Sequence, residues 1–251
     1  MSICSFAHWS VRISFFLSSV ILLAACASSG DLLKEIDRVG GFAKGGDGGI
    51  EVSEIASGLK EALKVGSRQV VRQLGREDGF NGDPTIRIPL PSALDRTRKI
   101  AAKVGLSDSF DSLELRLNRA AELATPRAQQ LFLVAIQQMT LDDAKNILQG
   151  PDDAATSYFR QSMGSTLISE MEPIVESSLS EVGAVRVFND FMDRYNRIPL
   201  APEVDADLTD HVVGLAMDGI FHYLAVEEKA IRENPVKRTT ELLQRVFGSL
   251  R

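Results

Sequence analysis

The sequence predicts an all-α fold: one domain of about eight to ten helices, with a single short extended segment near residues 85–91. Three observations carry that expectation. From Val52 onward, apolar residues recur at three- and four-residue spacing, the period of a helix with one buried face. Residues that start and stop helices bracket these stripes. No set of alternating apolar and polar segments is present to build a sheet. The composition agrees: the 251 residues are 44% hydrophobic and 25% charged, with a formal charge of −6. Those values exclude a wholly disordered, collagen-like or multispanning chain.

Residues 1–25 read as a signal peptide. Arg12 precedes Ile13 to Ala25, an uncharged and mostly apolar run of 13 residues. Crossing the hydrocarbon of a bilayer takes about 20, whereas a basic start, an apolar centre and small residues at the end define a secretory signal. Leu23-Ala24-Ala25-Cys26 resembles a bacterial lipobox. That resemblance implies diacylation of the Cys26 thiol, cleavage before it and a further acyl chain, such as palmitate, on the new N-terminus. The alternative is a chance cysteine after an ordinary signal. Several acyl chains anchor stably where one is marginal. Ala27, in place of an aspartate, directs the expectation to the outer membrane, on its periplasmic face. Cleavage removes Arg12 and no acid, taking the length from 251 to 226 and the charge from −6 to −7. Cys4 is lost and Cys26 lipidated, so no disulfide and no thiol chemistry are expected.

Residues 26–51 read as a linker, with Gly40, Gly41, Gly45, Gly46, Gly48 and Gly49 crowded together. Asp31 to Val39 has room for one short helix. The glycines lack the Gly-Lys-Ser/Thr ending of a phosphate loop.

The helical domain then occupies residues 52–251. Ile55, Leu59, Leu63, Gly66, Val70 and Leu74 form the first stripe, with Ser53 as N-cap and Gly75 as stop. Asn81-Gly82-Asp83-Pro84 is a turn, and Thr85 to Pro91 is extended because proline excludes helix and biases its predecessor. Ser92 with Asp95 reads as a capping box for a helix closed by Gly105. Phe110, Leu113, Leu117, Ala121 and Ala124 mark the next helix, and Pro126 is placed to open another. Thr140 with Asp143 caps a short helix ending at Gly150. Asp152 or Asp153 starts a longer one, with a kink expected at Pro173. Val185 to Tyr195 is helical, Pro199 and Pro202 mark a loop, and Leu208 to Glu233 is expected to be the longest helix. Pro235 opens the last.

Chemistry is sparse. His211 and His222 share a helix face but lie about 16 Å apart along it, too far to share a metal. Asp218 and His222 are near enough to touch, which is an incomplete zinc site. No Gly-x-Ser-x-Gly occurs. The pI of about 5.2 offers no footprint for nucleic acid. Neither a metal nor a cofactor is expected. What remains is a set of candidate polar residues: Arg119 and Glu122; Asp152, Asp153 and Arg160; Glu227, Arg232 and Arg238. The stripe of Ile220, Leu224 and Ile231 runs through position 227, so Glu227 is expected to be partly buried and in need of a partner. Arg119, Arg160 and Arg238 are the candidates. These residues form either a structural ion network or a carboxylate-rich pocket for a ligand or metal.

Several segments together resemble a known family: Gly58-Leu59-Lys60-Glu61-Ala62-Leu63, Gln73-Leu74-Gly75 with Asp78-Gly79-Phe80, and Ile86 to Pro91. Asn118-Arg119-Ala120-Ala121-Glu122, Met139-Thr140 with Asp143-Ala144, and Asp152 to Thr156 with Tyr158-Phe159-Arg160 continue it. Asp218-Gly219-Ile220-Phe221, Glu227-Glu228 with Ile231-Arg232, Pro235 and Arg238-Thr239-Thr240 complete it. Over about residues 52–248 the chain resembles the bacterial family catalogued as domain of unknown function 4197. The resemblance implies a helical envelope protein, often lipid-anchored, and brings no catalytic residue. The expectation is therefore a non-enzymatic lipoprotein, attached to the membrane by its anchor, that binds or scaffolds an envelope protein or a small ligand. The alternative is a periplasmic metal-assisted hydrolase, which requires the acids and arginines to converge. A carrier of apolar ligands requires a large apolar cavity.

Overall fold

A computed structural model describes residues 52–238 and 240–248. The expected signal peptide, the lipidation at Cys26 and the glycine-rich linker lie outside the described residues.

The helices are α1 (Val52–Leu74), α2 (Ser92–Asp95), α3 (Arg98–Ala102), α4 (Ser107–Arg127), α5 (Gln129–Gln138), α6 (Leu141–Gln149), α7 (Ala154–Glu181), α8 (Ala184–Tyr195), α9 (Leu208–Glu233) and α10 (Glu241–Gly248). A turn of 3₁₀ helix, Pro235–Lys237, precedes α10. No strand occurs among the described residues, so the all-α expectation holds. α1 packs on α5, α6, α9 and α10, while α7 packs on both α4 and α9, which also touch each other. Thr156 of α7 meets Glu228 of α9, and Arg160 meets Asp218. The order reverses, so these two long helices run antiparallel.

The boundaries depart from expectation at several places. Ser53, expected as an N-cap, already lies within α1, and Pro235 opens the 3₁₀ turn while α10 starts at Glu241. The helix expected from Ser92 to Gly105 is two short ones, and Ser92 makes no side-chain cap. Asp95 binds Arg98 instead, at 3.1 Å. Gly105 does close this stretch, at φ +74°. Pro126 does not open a helix but lies in the last turn of α4. It fits there by packing on Gly75, where any Cβ would come within 2.5 Å of its ring. α7 runs unbroken through Pro173 and, at 28 residues, exceeds the 26 of α9. Thr140 and Asp143 form the reciprocal cap that their spacing predicts.

The core is one cluster. α1 contributes Leu59, Val70 and Leu74, and α9 contributes Val212, Val213, Ala216 and Ile220. Gly66 lines a small cavity of about 30 Å³ with Leu59, Ala62, Phe132, Ile136 and Phe159. An apolar cavity of about 150 Å³ is what admits benzene, so this space does not accommodate a ligand of that size. A Cβ at Gly66 would sit 3.5 Å from Glu227 Cγ and 3.8 Å from Ile231 Cδ1, ordinary contact distances. Glycine inside a helix costs about 1 kcal/mol relative to alanine. Gly66→Ala should therefore raise the unfolding free energy by about 1 kcal/mol in urea titration; a decrease would show that the neighbours cannot accommodate it.

Phe110, Phe191 and Tyr195 form an aromatic cluster with ring centroids 5.0 and 5.5 Å apart. The Tyr195 hydroxyl is buried there without a partner. Such a hydroxyl costs about 1–3 kcal/mol. Tyr195→Phe should leave the melting temperature unchanged or raise it, and a clear fall would mean that the hydroxyl is bonded in solution.

Candidate functional site

Among the buried polar residues, Asn118, Glu122 and Glu228 anchor two ties between distant parts of the chain.

The first holds the segment between α1 and α2. Ile86, Ile88 and Leu90 are buried and alternate with exposed Arg87 and Pro89, the two-residue period of an extended chain. Among the described residues no strand pairs with it. Asn118 of α4 takes that part instead. Its Oδ1 accepts from the Ile88 N–H at 2.9 Å, and its Nδ2 donates to the Ile88 carbonyl at 2.8 Å. One turn on, Glu122 Oε1 accepts from the backbone N–H groups of Phe80 and Asn81, both at 3.1 Å. Its other oxygen accepts from Arg119 at 2.6 Å, and Arg119 reaches on to Glu77 at 3.2 Å and Asp78 at 2.9 Å. Glu114 pairs with Arg87 at 3.0 Å. From α9, Tyr223 donates to the Asp83 carboxylate, and His211 Nε2 lies 2.8 Å from the Pro89 carbonyl. Gly219 lets the segment approach, since a Cβ there would be 3.0 Å from Phe80 and 3.2 Å from Ile86.

The second tie lies at the corner between α6 and α7. Glu228 is buried on α9. Its carboxylate accepts from the N–H groups of Ala155 at 2.9 Å and Thr156 at 3.0 Å, and from the Thr156 hydroxyl at 3.0 Å. These are the second and third amides of α7, the ones an N-cap side chain normally satisfies. Asp153, at the N-cap, makes no side-chain bond. The cap therefore comes from another helix, not from Asp152 or Asp153. Arg232, one turn beyond Glu228, binds it at 2.9 Å and donates to the carbonyls of Ile147 at 2.8 Å and Leu148 at 3.4 Å. One ion pair thus places an anion at the start of α7 and a cation at the end of α6, each the favoured sign for its helix dipole.

The other candidates lie apart from these ties. Arg160 pairs with Asp218 at 2.7 Å and stacks over Phe221. Asp218 therefore meets an arginine, and no bond to His222 forms. Asp152 lies 3.8 Å from Lys229. Glu227 is partly buried, as its register predicts, but its partner is Lys237 at 3.3 Å, not Arg119, Arg160 or Arg238. Arg238 is buried and donates to the carbonyls of Ile231 and Arg232, closing α9. The Arg119–Glu122 pair shares no bond with Glu228 or Arg232. Among the described residues no group of three or more His, Asp or Glu side chains is placed to hold a metal ion.

Sequence reading missed Asn118 and Glu228 as the central residues. A signal for Glu228 was present: position 228, like 220, 224 and 231, falls on the face that α9 buries.

Three carboxyls are held below the usual range. For Asp143 the chief cause is the Thr140 backbone N–H, followed by the Thr140 hydroxyl. For Asp83 it is the Tyr223 hydroxyl, and for Asp78 the Asn81 amide ahead of Arg119. A carboxyl whose pKa is lower in the folded state adds stability above its unfolded pKa of about 3.9, and that stability is lost as the pH falls through and below this value. The urea midpoint should therefore drop between pH 6 and pH 3, and Asp143→Asn should reduce the drop; a midpoint that does not move would contradict the assignment.

Taken together, this is a helical protein whose buried charges tie loops and helix ends. The chain belongs to the family of proteins of unknown function catalogued as domain of unknown function 4197, whose model matches residues 49–248. No curated protein and no solved structure matches it.

Proposed function

We propose that this protein is a lipid-anchored component of the bacterial envelope, held on the periplasmic face of the outer membrane, whose helical domain binds or scaffolds a partner. The observation that carries the reading is Leu23-Ala24-Ala25-Cys26 at the end of a short apolar run, with Ala27 after it. The domain's geometry supports a non-enzymatic role. Glu122, Glu228, Arg119 and Arg232 are consumed in holding backbone groups and one another. A hydrolase reading needs Arg119, Asp152, Arg160 and Glu227 in one cleft, and these four bond to different partners.

The test is metabolic labelling with palmitate in a Gram-negative host, followed by membrane fractionation. The wild-type chain should carry label and sediment with the outer membrane. Cys26→Ser should lose both. An unlabelled wild-type chain would overturn the anchor.

A further inference from the structure

The solvent edge of α1 carries Lys60, Lys64, Arg68 and Arg72 at successive i, i+4 positions, and Arg76 follows just past the helix end. Arg68, Arg72 and Arg76 are exposed, and Lys60 and Lys64 are half-buried. From Lys60 to Arg72 the ridge runs about 18 Å, turning slowly because each four-residue step overshoots a full turn by about 40°. Lys60 donates to the Gln137 carbonyl and Arg72 to the Gln69 side chain. Among the described residues, none of the five makes a contact ion pair with a carboxylate, although the charge of Lys60 helps to hold Asp143 below the usual range. Like charges at i, i+4 weaken a helix, so the spacing of these bases does not itself stabilise α1.

We infer that this ridge docks α1 on a membrane surface bearing anionic phospholipid headgroups. The choice of a membrane rests on the proposed anchor: Val52, the first residue of α1, follows Cys26 by 26 residues. Charge complementarity supplies the attraction, since each basic side chain near an anionic surface strengthens binding about fivefold. Residues 60–76 contain no aromatic side chain, so the ridge offers no stacking platform for single-stranded nucleic acid. Its exposed positions are all polar, which makes the contact peripheral and sensitive to salt.

The test uses the full chain carrying Cys26→Ser, so that no acyl chain contributes. Cosedimentation with phosphatidylglycerol–phosphatidylcholine vesicles is compared with phosphatidylcholine alone. Binding should require the anionic lipid and fall with added salt. The triple variant Arg68→Gln, Arg72→Gln, Arg76→Gln should bind about a hundredfold more weakly, and the matching triple Arg→Lys variant should bind like its parent. The melting temperature of the glutamine variant should be unchanged or higher, because these side chains support no packing. Equal binding by the glutamine variant, or no preference for anionic vesicles, would overturn the inference. So would a chain that ignores the vesicles yet binds nucleic acid or an acidic peptide through these residues. Palmitate labelling reports on the anchor alone, so label without vesicle binding removes the ridge and leaves the anchor standing.

Discussion

Glu228→Ala is expected to lower the unfolding free energy by about 4 kcal/mol, the scale of breaking a buried ion pair by removing one partner. Two losses combine. The amides of Ala155 and Thr156 lose their only acceptor at the start of a 28-residue helix. Arg232, whose side chain is 10% exposed, keeps the carbonyls of Ile147 and Leu148 but loses its counter-charge. Glu228→Gln keeps the size and one acceptor oxygen, but sets an NH₂ group against donors. It should recover less than half of the loss. Against a total stability of about 5–15 kcal/mol, that loss is roughly a quarter or more of the whole. Urea denaturation with circular dichroism reads the effect. A double-mutant cycle with Arg232→Met separates the pair from the cap, because the coupling should exceed about 1 kcal/mol. A change below about 1 kcal/mol for Glu228→Ala would show that α7 is capped by other means.

How legible this fold was follows from where its bonds come from. The helices announced themselves because their hydrogen bonds are local and their buried faces repeat along the chain. The Thr140–Asp143 cap was legible for the same reason: both partners lie within one turn. The misread features are those whose partners are distant. The α7 cap is 72 and 73 residues from the two amides it serves, and a single sequence holds no mark of that distance. Two acids at a helix start pointed to the ordinary local cap, yet neither side chain forms one. Glu227 was read on the correct face, but its lysine lies beyond the end of α9, where the chain's turn decides who meets whom. The basic ridge on α1 is legible from spacing alone, as four bases at successive i, i+4 positions, but spacing does not say which of them solvent reaches. In the candidate site, each charged residue was visible as a type, and its task became visible only with the backbone in place.

Asn118→Ala should cost about 3 kcal/mol and release the segment between α1 and α2 before the helices melt. Asn118 and Ile88 are both fully buried, so the variant leaves an N–H and a carbonyl of Ile88 without partners or admits water to a closed site. Either outcome costs about 1–3 kcal/mol per group. The amide is needed because it presents both a donor and an acceptor. Aspartate has nearly the same shape, but its second oxygen would face the carbonyls of Ile88 and Glu114, at the 2.8 and 2.9 Å now spanned by Nδ2. Asn118→Asp should therefore be no better than alanine, whereas a site governed by packing alone would tolerate it. Hydrogen exchange localises the effect. In the wild type the Ile88 amide should exchange as slowly as the helical core. In Asn118→Ala it should exchange much faster, while the amides of α9 stay protected. Glu122 still holds Phe80 and Asn81 in that variant, so release should begin at the Ile88 end. Slow exchange at Ile88 in the alanine variant would mean that packing of Ile86, Ile88 and Leu90 holds the segment without the amide.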